Sequence, residues 1–414
     1  MPYVILDPVG QYPRHLLTFL GGTLGKAAIA VFTSRGRQLL WRDKWSKELG
    51  AYVIETHLPA AGDGLAGLAA DLRRRHPAIE GVIPWDEETV LAGARLGELL
   101  GLDWNPLRVM ERCRDKAVMK RWLRKRGTVR INASAIVTDR EGALRFRQEV
   151  GTWPIVAKPT SGSGSEDVYF PASDDELLRD CERVLSGGRG GVLLEEYVGG
   201  EELAVNGLVD SRGDLLTTDV WHYDRRTVGG IPNLYHSTRR IATTEPVFAE
   251  AALYAAKVVE ALELRRCPIH MEVKVDERGP CLIEVGARFS GGGLPVLASK
   301  LHGRSLFELG ACQYLAEVPV RASDIDLARY DRTEARVLHG IQTHEIPRIR
   351  ELHGADVVRA LPSFDAFAVL RPVGARAPVT RDYDTAAWEL SLIHESRRQI
   401  EEDAATAHRV LRYA

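Results

Sequence analysis

The sequence predicts a mixed α/β (α+β) fold of two or three domains. Three observations lead to this prediction: the first hundred residues alternate short apolar runs with helical patterns, a later segment alternates as a hairpin, and the chain ends in a strong helical pattern. A length of 414 residues is enough for several hydrophobic cores.

The N-terminal part is predicted to be a parallel sheet, because buried strands alternate with helices in a βαβ rhythm. The strands are expected at residues 3–6, 27–32, 51–54 and 81–85, and a helix at 87–100. No GxGxxG motif follows the first strand. We therefore expect a Rossmann-like scaffold without a dinucleotide site.

The remaining elements are predicted in chain order. A basic helix over 113–127 would have a solvated face beside one functional lysine, Lys116, although its charge density also suggests RNA. Strands are expected at 153–158, 191–195 and 202–209, and a mobile loop at 218–238. A helix at 249–262, a last edge strand at 390–394 and a terminal helix at 396–413 follow.

Composition narrows the classes of function. The net charge of -2 provides no broad positive field, which argues against nucleic-acid and anionic-membrane partners. No apolar run approaches the roughly 20 residues of a membrane span, and no basic region precedes the apolar N-terminal stretch, so we expect no secretory signal. Five scattered cysteines without CxxC spacing predict reduced core thiols and a cytoplasmic location.

The segment from His270 to Arg288 is predicted to be a hairpin that opposes two carboxylates. A three-residue turn over 277–279 would pair Val275 with Cys281, Val273 with Ile283, and Glu272 with Glu284. Opposed like charges destabilise a sheet, and two carboxylates plus phosphate oxygens are a usual Mg²⁺ site. The alternative is a solvated edge hairpin with both glutamates facing outward.

A second pattern is typical of phosphate binding. Lys158 ends an apolar strand directly before Pro159 and a Gly/Ser loop over 160–165, in which backbone N–H groups and hydroxyls can surround an anion. The GxxxxGK[ST] motif is absent, so this is not a Walker A loop. An ordinary flexible loop is the alternative interpretation.

An acidic and apolar stretch follows. Glu195, Glu196, Tyr197 and Val198 precede a Gly-Gly turn, after which comes Glu202. Adenine needs a hydrogen-bond acceptor and donor in an apolar slot, and a ribose needs a carboxylate, all of which this stretch can offer. Read in isolation, it would be a solvent-facing acidic patch.

The order of these elements resembles the ATP-grasp superfamily over residues 1–325. The ending from Glu284 through Ala287 and Arg288 to Phe289 is most similar to the L-amino-acid ligases, the dipeptide-forming branch. The resemblance implies an N-terminal Rossmann-like domain (1–110), an ATP-grasp domain (111–325, with a lid at about 111–190) and a small C-terminal α/β domain (326–414).

The resemblance also implies a role for each matching residue. Lys116 and Lys158 would bind the α- and β-phosphates of ATP, and the γ-phosphate would be covered by the loop of Ser161, Gly162, Ser163, Gly164 and Ser165. The adenine would contact Glu195, Glu196 and the backbone at Tyr197 and Val198, and the ribose would contact Glu202. Glu272 and Glu284 would bind Mg²⁺, with Mn²⁺ as a substitute. Arg288 would meet the substrate carboxylate. One departure is Gly286, which stands where many members have an asparagine, so the number of metal ions stays open.

The implied activity is that of an ATP-dependent carboxylate–amine ligase in specialised metabolism, which works through an acyl phosphate without a protein nucleophile. His270 would orient the acceptor amine or take its proton, or it is a satisfied, partly buried histidine. Glu87 would hold an amino group or begin a helix. Residues His222, Tyr223, Arg225, Arg226, Tyr235 and His236 would select the substrate.

Two alternatives remain at this stage. The acceptor would be ammonia, a hydrazine-like nitrogen or another non-amino-acid amine, or the chain would be a nucleotide-binding sensor without catalysis. The sensor predicts loss of Lys158, Glu272, Glu284 or Arg288, all of which are present. Similar ligases are commonly dimers, so the resemblance also implies a homodimer.

Overall fold

The computed structural model describes residues 2–10, 13–57, 64–162, 164–188, 191–315 and 320–414. In these ranges no helix combines the length and apolarity that crossing a membrane requires. All five cysteines are buried with free thiols, as the sequence predicts.

Four parallel strands form the N-terminal sheet. They are β1 (Tyr3–Leu6), β2 (Ala28–Val31), β3 (Val53–His57) and β4 (Gly81–Pro84), in the order β3-β2-β1-β4. Every residue of β1, β2 and β4 is buried, as expected for parallel strands covered on both faces. The predicted parallel sheet is confirmed, although β3 begins two residues later than predicted.

Helices accompany this sheet along the chain. They are α1 (Pro13–Leu17), a π-helical turn (Thr18–Thr23), α2 (Arg35–Lys44), α3 (Ser46–Leu49), a 3-10 turn (Gly50–Tyr52), α4 (Gly64–Arg75) and α5 (Val90–Leu100). The predicted start of α5 at residue 87 is wrong. Asp86 and Thr89 close a turn first, since the Thr89 N–H donates to Asp86 Oδ1 at 3.1 Å.

The basic segment forms two helices rather than the single predicted one. Helix α6 (Leu107–Arg114) ends before Asp115, and α7 (Lys116–Arg126) begins after it. The Asp115 carboxylate accepts hydrogen bonds from the N–H groups of Ala117 and Val118 at 2.8 and 2.9 Å. Such an N-cap satisfies donors that have no partner inside a helix, and it places Lys116 at the first position of α7.

A three-stranded antiparallel sheet follows. Its strands are β5 (Ser134–Val137), β6 (Ile155–Pro159) and β7 (Val192–Glu196), in the order β5-β7-β6. Helices α8 (Arg140–Val150) and α9 (Asp174–Ser186) share one hydrophobic core with it, in which Phe146 and Leu177 are buried.

The largest sheet has eight strands. It contains β8 (Glu201–Val209), β9 (Leu215–Val228), β10 (Ile231–Arg240), β11 (Cys267–Asp276), β12 (Gly279–Gly286), β13 (Glu334–His339), β15 (Phe364–Val369) and β16 (Trp388–His394). Their order is β12-β11-β8-β9-β10-β13-β16-β15. Helix α10 (Pro246–Leu262) contributes much of the core beside this sheet, where Trp221 of β9 is fully buried.

The predicted mobile loop at 218–238 is wrong, because most of it forms β9 and β10. Gly229 and Gly230, both with positive φ, make the two-residue turn between these strands. Two consecutive residues with positive φ are the requirement of a tight hairpin turn that matches strand twist. The Gly-Gly pair was the sequence signal for this hairpin.

The C-terminal residues complete the large sheet and add helices. The further elements are α11 (Leu294–His302), α12 (Leu306–Tyr314), a 3-10 turn (Ala322–Asp324), α13 (Leu327–Arg332), α14 (Ala355–Arg359), α15 (Arg397–Val410) and the pair β14 (Leu352–His353) and β17 (Arg412–Tyr413). The predicted edge strand is wrong, since β16 lies between β13 and β15. The predicted domain boundary at residue 326 separates β10 from β13, yet these two strands pair in one sheet. The domain boundaries therefore stay a prediction.

Candidate active site

Two adjoining clefts contain the predicted site residues. The first, of about 790 Å³, is lined by residues of both the three-stranded and the eight-stranded sheet. It contains Lys116, Lys158, Ser161, Gly162, Gly164, Ser165, Glu195, Glu196, Tyr197, Val198, Glu202, Glu272 and Glu284. Ser163, predicted for the same loop, lies outside the described residues.

The second cleft, of about 910 Å³, contains Arg288 and His270. Glu272 and Glu284 line both clefts. The predicted metal-binding pair therefore lies where the cleft with the predicted nucleotide residues meets the cleft with the predicted substrate residues.

The hairpin pairs Glu272 with Glu284 as predicted, but by a different register. The turn has two residues, since Asp276 pairs with Gly279, and a bulge follows between Glu272 and Val273. The turn therefore has one residue fewer than predicted, and the bulge restores the pairing of the two glutamates by adding one residue to β12.

Two of the predicted hairpin pairs are consequently wrong. Val273 pairs with Leu282 and Val275 with Pro280. Gly279, at the end of this turn, has a positive φ of 89°. Glycine tolerates this conformation without the steric cost that a Cβ would add.

The two glutamates have different charged neighbours. Lys116 Nζ lies 2.7 Å from Glu284 Oε2. Burial alone would raise the pKa of Glu284. The positive charges of Lys116, Lys158 and Arg288 together lower it by more, so the pKa falls below its ordinary value. Glu272 contacts no lysine or arginine in the described ranges, and the side chain beside it is His270, whose Nε2 lies 3.7 Å from Glu272 Oε1. A pair of carboxylates, one of which has no lysine or arginine partner, is suited to binding a divalent ion.

Lys158 belongs to a buried network that the sequence did not reveal. Glu195 Oε2 lies 3.1 Å from Lys158 Nζ, and Glu195 Oε1 lies 3.3 Å from Lys120 Nζ. Asn132 donates to Glu195 Oε2 at 3.2 Å and accepts a hydrogen bond from Lys120. This carboxylate therefore holds two ammonium groups in place, and its predicted contact with adenine stays a prediction.

Replacing Glu195 by Gln is expected to destabilise the protein by about 3–5 kcal/mol, because two buried lysines would lose their counter-charge. Burial alone would raise the pKa of Glu195, but the two lysines together lower it by more, so the pKa lies below its ordinary value. Its ion pairs therefore stabilise the fold above the unfolded pKa of about 4.3, and this contribution is lost as the pH falls through the lower folded pKa.

Thermal unfolding at pH 7 and at pH 4 measures both effects. The loss of stability caused by Glu195→Gln should be larger at pH 7 than at pH 4. Glu196→Gln is the control, since its partner Arg278 is largely exposed and such pairs contribute about 1 kcal/mol or less. Equal unfolding midpoints for Glu195→Gln and the wild type would contradict the network.

The Gly/Ser loop contacts residues that surround the predicted metal-binding pair. The Gly162 carbonyl accepts a hydrogen bond from Lys116 Nζ at 3.0 Å, and Ser165 Oγ accepts one from Arg225 at 3.3 Å. The Gly164 carbonyl accepts from the Tyr383 N–H at 3.1 Å. Gly164 and Ser165 both have positive φ. The loop therefore contacts both α7 and the C-terminal part of the chain.

Glu202 is also held by cations. Arg225 lies 2.7 Å from its carboxylate and Lys274 lies 3.6 Å from it. Burial raises the pKa of Glu202, and the two cations lower it further. Arg225 was predicted to select the substrate, but the structure puts it in the first cleft beside the predicted ribose residue.

The remaining predicted selecting residues are divided among sites. Tyr223 and Tyr235 line the second cleft. Arg226 and His236 line a separate open pocket. His222 is in neither cleft.

The stretch predicted to contact adenine has an apolar wall. Val198 is buried, and the Tyr197 ring contacts Phe170 edge-on with centroids 6.1 Å apart. The Glu196 carboxylate instead points to Arg278, 3.2 Å away, and accepts from the Ala133 N–H at 3.1 Å. The cleft thus offers backbone groups and an apolar surface near residues 197–198.

Arg288 is held by Glu87 from the N-terminal part. Its Nε donates to Glu87 Oε2 at 2.5 Å, and its NH1 donates to the Phe289 carbonyl at 2.8 Å. Arg114 lies 3.8 Å from the other Glu87 oxygen. Because α5 begins only at Val90, Glu87 does not lie in the first turn of this helix. Its predicted role in holding an amino group stays a prediction.

His270 is oriented by a buried relay. The Asn206 amide nitrogen donates to Asp219 Oδ1 at 2.6 Å, so its oxygen faces His270 Nδ1, 2.8 Å away. Nδ1 is therefore the protonated nitrogen, because only a donor satisfies that oxygen. Nε2 is left open to the second cleft. Asn206 and Asp219 gave no sequence signal, since polar residues within strands resemble exposed ones.

A known family model matches the central part of the chain. Residues 152–296 match the family model of the ATP-grasp domain, so the chain contains an ATP-grasp domain, as the sequence predicts.

Among known proteins the chain is similar to dapdiamide A synthase of Enterobacter agglomerans (25% identity, covering 61% of this chain and 65% of that protein). It is also similar to an L-arginine-specific L-amino acid ligase of Bacillus subtilis (24% identity, 55% of each chain). The matches thus span less than two thirds of these relatives. The crystal structure of an L-amino acid ligase from Bacillus licheniformis has the same fold, with a TM-score of 0.74, 17% identity and coverage of 100% of this chain and 98% of that one.

Proposed function

We propose that the protein is an ATP-dependent carboxylate–amine ligase that joins an amino-acid-like carboxylate to an amine and releases ADP and phosphate. The observation that carries this proposal is the position of Glu272 and Glu284 between the two clefts. A nucleotide in the first cleft and a carboxylate in the second would meet at this pair. The relatives whose names describe amino acid ligation support the same activity.

We propose the following roles in the first cleft. Lys116 and Lys158 would bind the nucleotide phosphates, and the Gly/Ser loop would cover the terminal one. Residues 197–198 would contact adenine and Glu202 the ribose. Mg²⁺ held by Glu272 and Glu284, with Mn²⁺ as a substitute, would neutralise charge on the phosphate oxygens.

The reaction requires two displacements. A substrate carboxylate oxygen attacks the γ-phosphorus, the bond to ADP breaks, and an acyl phosphate forms. The amine nitrogen then attacks the carbonyl carbon, the carbon–oxygen bond breaks, and phosphate leaves. Arg288 would stabilise the negative oxygen of the tetrahedral species, and His270 Nε2 would accept the proton of the amine.

Several features of the whole protein remain part of this proposal. We propose the three domains 1–110, 111–325 and 326–414, a cytoplasmic location and a homodimer. The substrates are small molecules, with neither nucleic acid nor membrane as a partner. Sedimentation of the purified protein tests the homodimer directly.

The test of the activity is phosphate release from ATP and Mg²⁺ across a matrix of paired amino acids, with mass analysis of every positive reaction. We expect release that requires two amino acids, and a product of their joint mass less one water. Release with a single amino acid and ammonia or another amine would move the acceptor to a different class. ATP binding without release under any pairing would contradict the ligase.

A further inference from the structure

Glu389 is a half-buried carboxylate in the second cleft for which the reaction scheme above has no role. It lies on β16, and its side chain is 12% exposed. It lines the cleft together with Arg288 and Gly291–Gly293. It therefore shares a cavity with the residue assigned to the substrate carboxylate.

Glu389 differs from the other buried or half-buried carboxylates that line the two clefts in having no fixed cation. Those others, with one exception, pair with lysine or arginine: Glu195 with Lys158, Glu196 with Arg278, Glu202 with Arg225 and Glu284 with Lys116. The exception, Glu272, belongs to the proposed metal site. In the described ranges no lysine or arginine contacts Glu389.

The neighbours of Glu389 are uncharged. Tyr383 Oη donates to Glu389 Oε2 at 2.6 Å, and His339 Nδ1 lies 3.9 Å away. Burial lowers the pKa of His339 to about 3, so this imidazole is neutral near pH 7. Burial also raises the pKa of Glu389. A cationic ligand would relieve the cost of ionising this half-buried carboxylate.

The chain leaves the carboxylate uncovered on one side. A Cβ at Gly292 would lie 2.6 Å from Tyr383 Oη, and a Cβ at Gly293 would lie 3.2 Å from Glu389 Oε1. Side chains at these positions would collide with or cover the Tyr383–Glu389 pair. The two glycines therefore keep the carboxylate open to the cleft.

We propose that Glu389 binds the ammonium group of the substrate whose carboxylate is activated, so that the acyl donor is itself an amino acid. This inference rests on the proposed function and specifies its substrate class. The attacking amine must be neutral to react, and a carboxylate beside it would favour its protonated form. The amino group of the acyl donor does not react, so it can remain a cation bound to Glu389.

A structural role for Glu389 also exists, because its carboxylate accepts a hydrogen bond from the Gly293 N–H at the start of α11. The replacement Glu389→Gln separates the two roles. Glutamine keeps an oxygen that can accept from Gly293, but it removes the negative charge.

The test is calorimetric titration of the protein, loaded with Mg²⁺ and a non-hydrolysable ATP analogue, with each proteinogenic L-amino acid and its des-amino counterpart. Propionate is the counterpart of alanine, and 3-phenylpropionate that of phenylalanine. The wild type should bind its preferred amino acid about 10- to 100-fold more tightly than the des-amino acid, as expected for a charged hydrogen bond. Glu389→Gln should remove this ratio. Glu401→Gln, an exposed residue of α15, should keep it.

The outcomes separate this inference from the proposed function. A ratio near one in the wild type, which requires no variant to fold, would overturn the role of Glu389. Equal weakening of both ligands in Glu389→Gln, or an unchanged ratio, would do the same. Selective binding of amino acids together with silent phosphate release would instead support the cation site and contradict the ligase.

Discussion

Replacing Glu272 by Gln is expected to lower kcat for phosphate release on the order of 100- to 1000-fold, the scale of losing one strong stabilising group at developing charge. Glutamine is nearly isosteric with glutamate, so the cleft keeps its shape. The variant loses the carboxylate that no lysine or arginine neutralises in the described ranges. A higher Mg²⁺ concentration should be needed for half-maximal activity.

The same replacement should leave the fold as stable as before, or more stable, when Mg²⁺ is absent. Glu272 and Glu284 are opposite each other in the hairpin, and like charges in this position repel. Removing one charge relieves that repulsion. A loss of activity without a loss of stability would identify Glu272 as a metal ligand rather than a structural residue.

Glu277→Gln is the matched control, because Glu277 lies in the exposed turn of the same hairpin. Its activity and Mg²⁺ requirement should equal those of the wild type. Thermal unfolding with and without Mg²⁺ and ATP gives the second measurement. A Glu272→Gln protein with wild-type turnover at low Mg²⁺ would exclude the proposed metal site.

Arg288→Lys is expected to reduce kcat by about 100-fold or more, although it keeps the positive charge. The guanidinium donates in two directions, from Nε to Glu87 and from NH1 to the Phe289 carbonyl. A lysine ammonium has no rigid fork, so it cannot keep this orientation and also present donors to a carboxylate. We therefore expect weaker use of the carboxylate substrate.

Two measurements locate the step that fails. Phosphate release gives the overall rate, and trapping of the acyl phosphate with hydroxylamine gives the rate of its formation. If Arg288 stabilises the tetrahedral oxygen as well as the carboxylate, Arg288→Lys should reduce the amine-dependent step more than hydroxamate formation.

Arg278→Lys is the control, since Arg278 is 60% exposed at the hairpin turn. It should behave as the wild type. Arg288→Lys with more than about one third of wild-type activity would contradict the fork argument, since loss of a bidentate contact to a charged group costs more than this.

The hairpin shows how local information can predict a site and yet miss its geometry. Alternation and a turn glycine were enough to oppose Glu272 and Glu284. The turn was predicted one residue too long, and the bulge beside Glu272 was not predicted. The two errors offset each other, because the shorter turn removes one residue and the bulge adds one. The bulge was missed because it depends on how the neighbouring strand pairs rather than on the hairpin sequence.

Strands β9 and β10 show the opposite case. Their polar residues suggested a loop, but the polar groups have partners on neighbouring elements. Arg225 reaches Glu202 on β8 and Ser165 in the Gly/Ser loop. A buried polar group needs such partners, and a single sequence does not say where they are.

The sequence by itself determined the Lys158 strand with the Gly/Ser loop after it and the opposed glutamate pair, because turn residues and short-period alternation are local properties of the chain. Its resemblance to the ATP-grasp superfamily implied the architecture. Only the tertiary structure decided which charges hold the site residues in place. Arg288 and Glu87 are 201 positions apart, and His270 is 64 positions from Asn206. Buried ion pairs form wherever folding brings opposite charges out of water together, so their partners follow from the packing of distant segments.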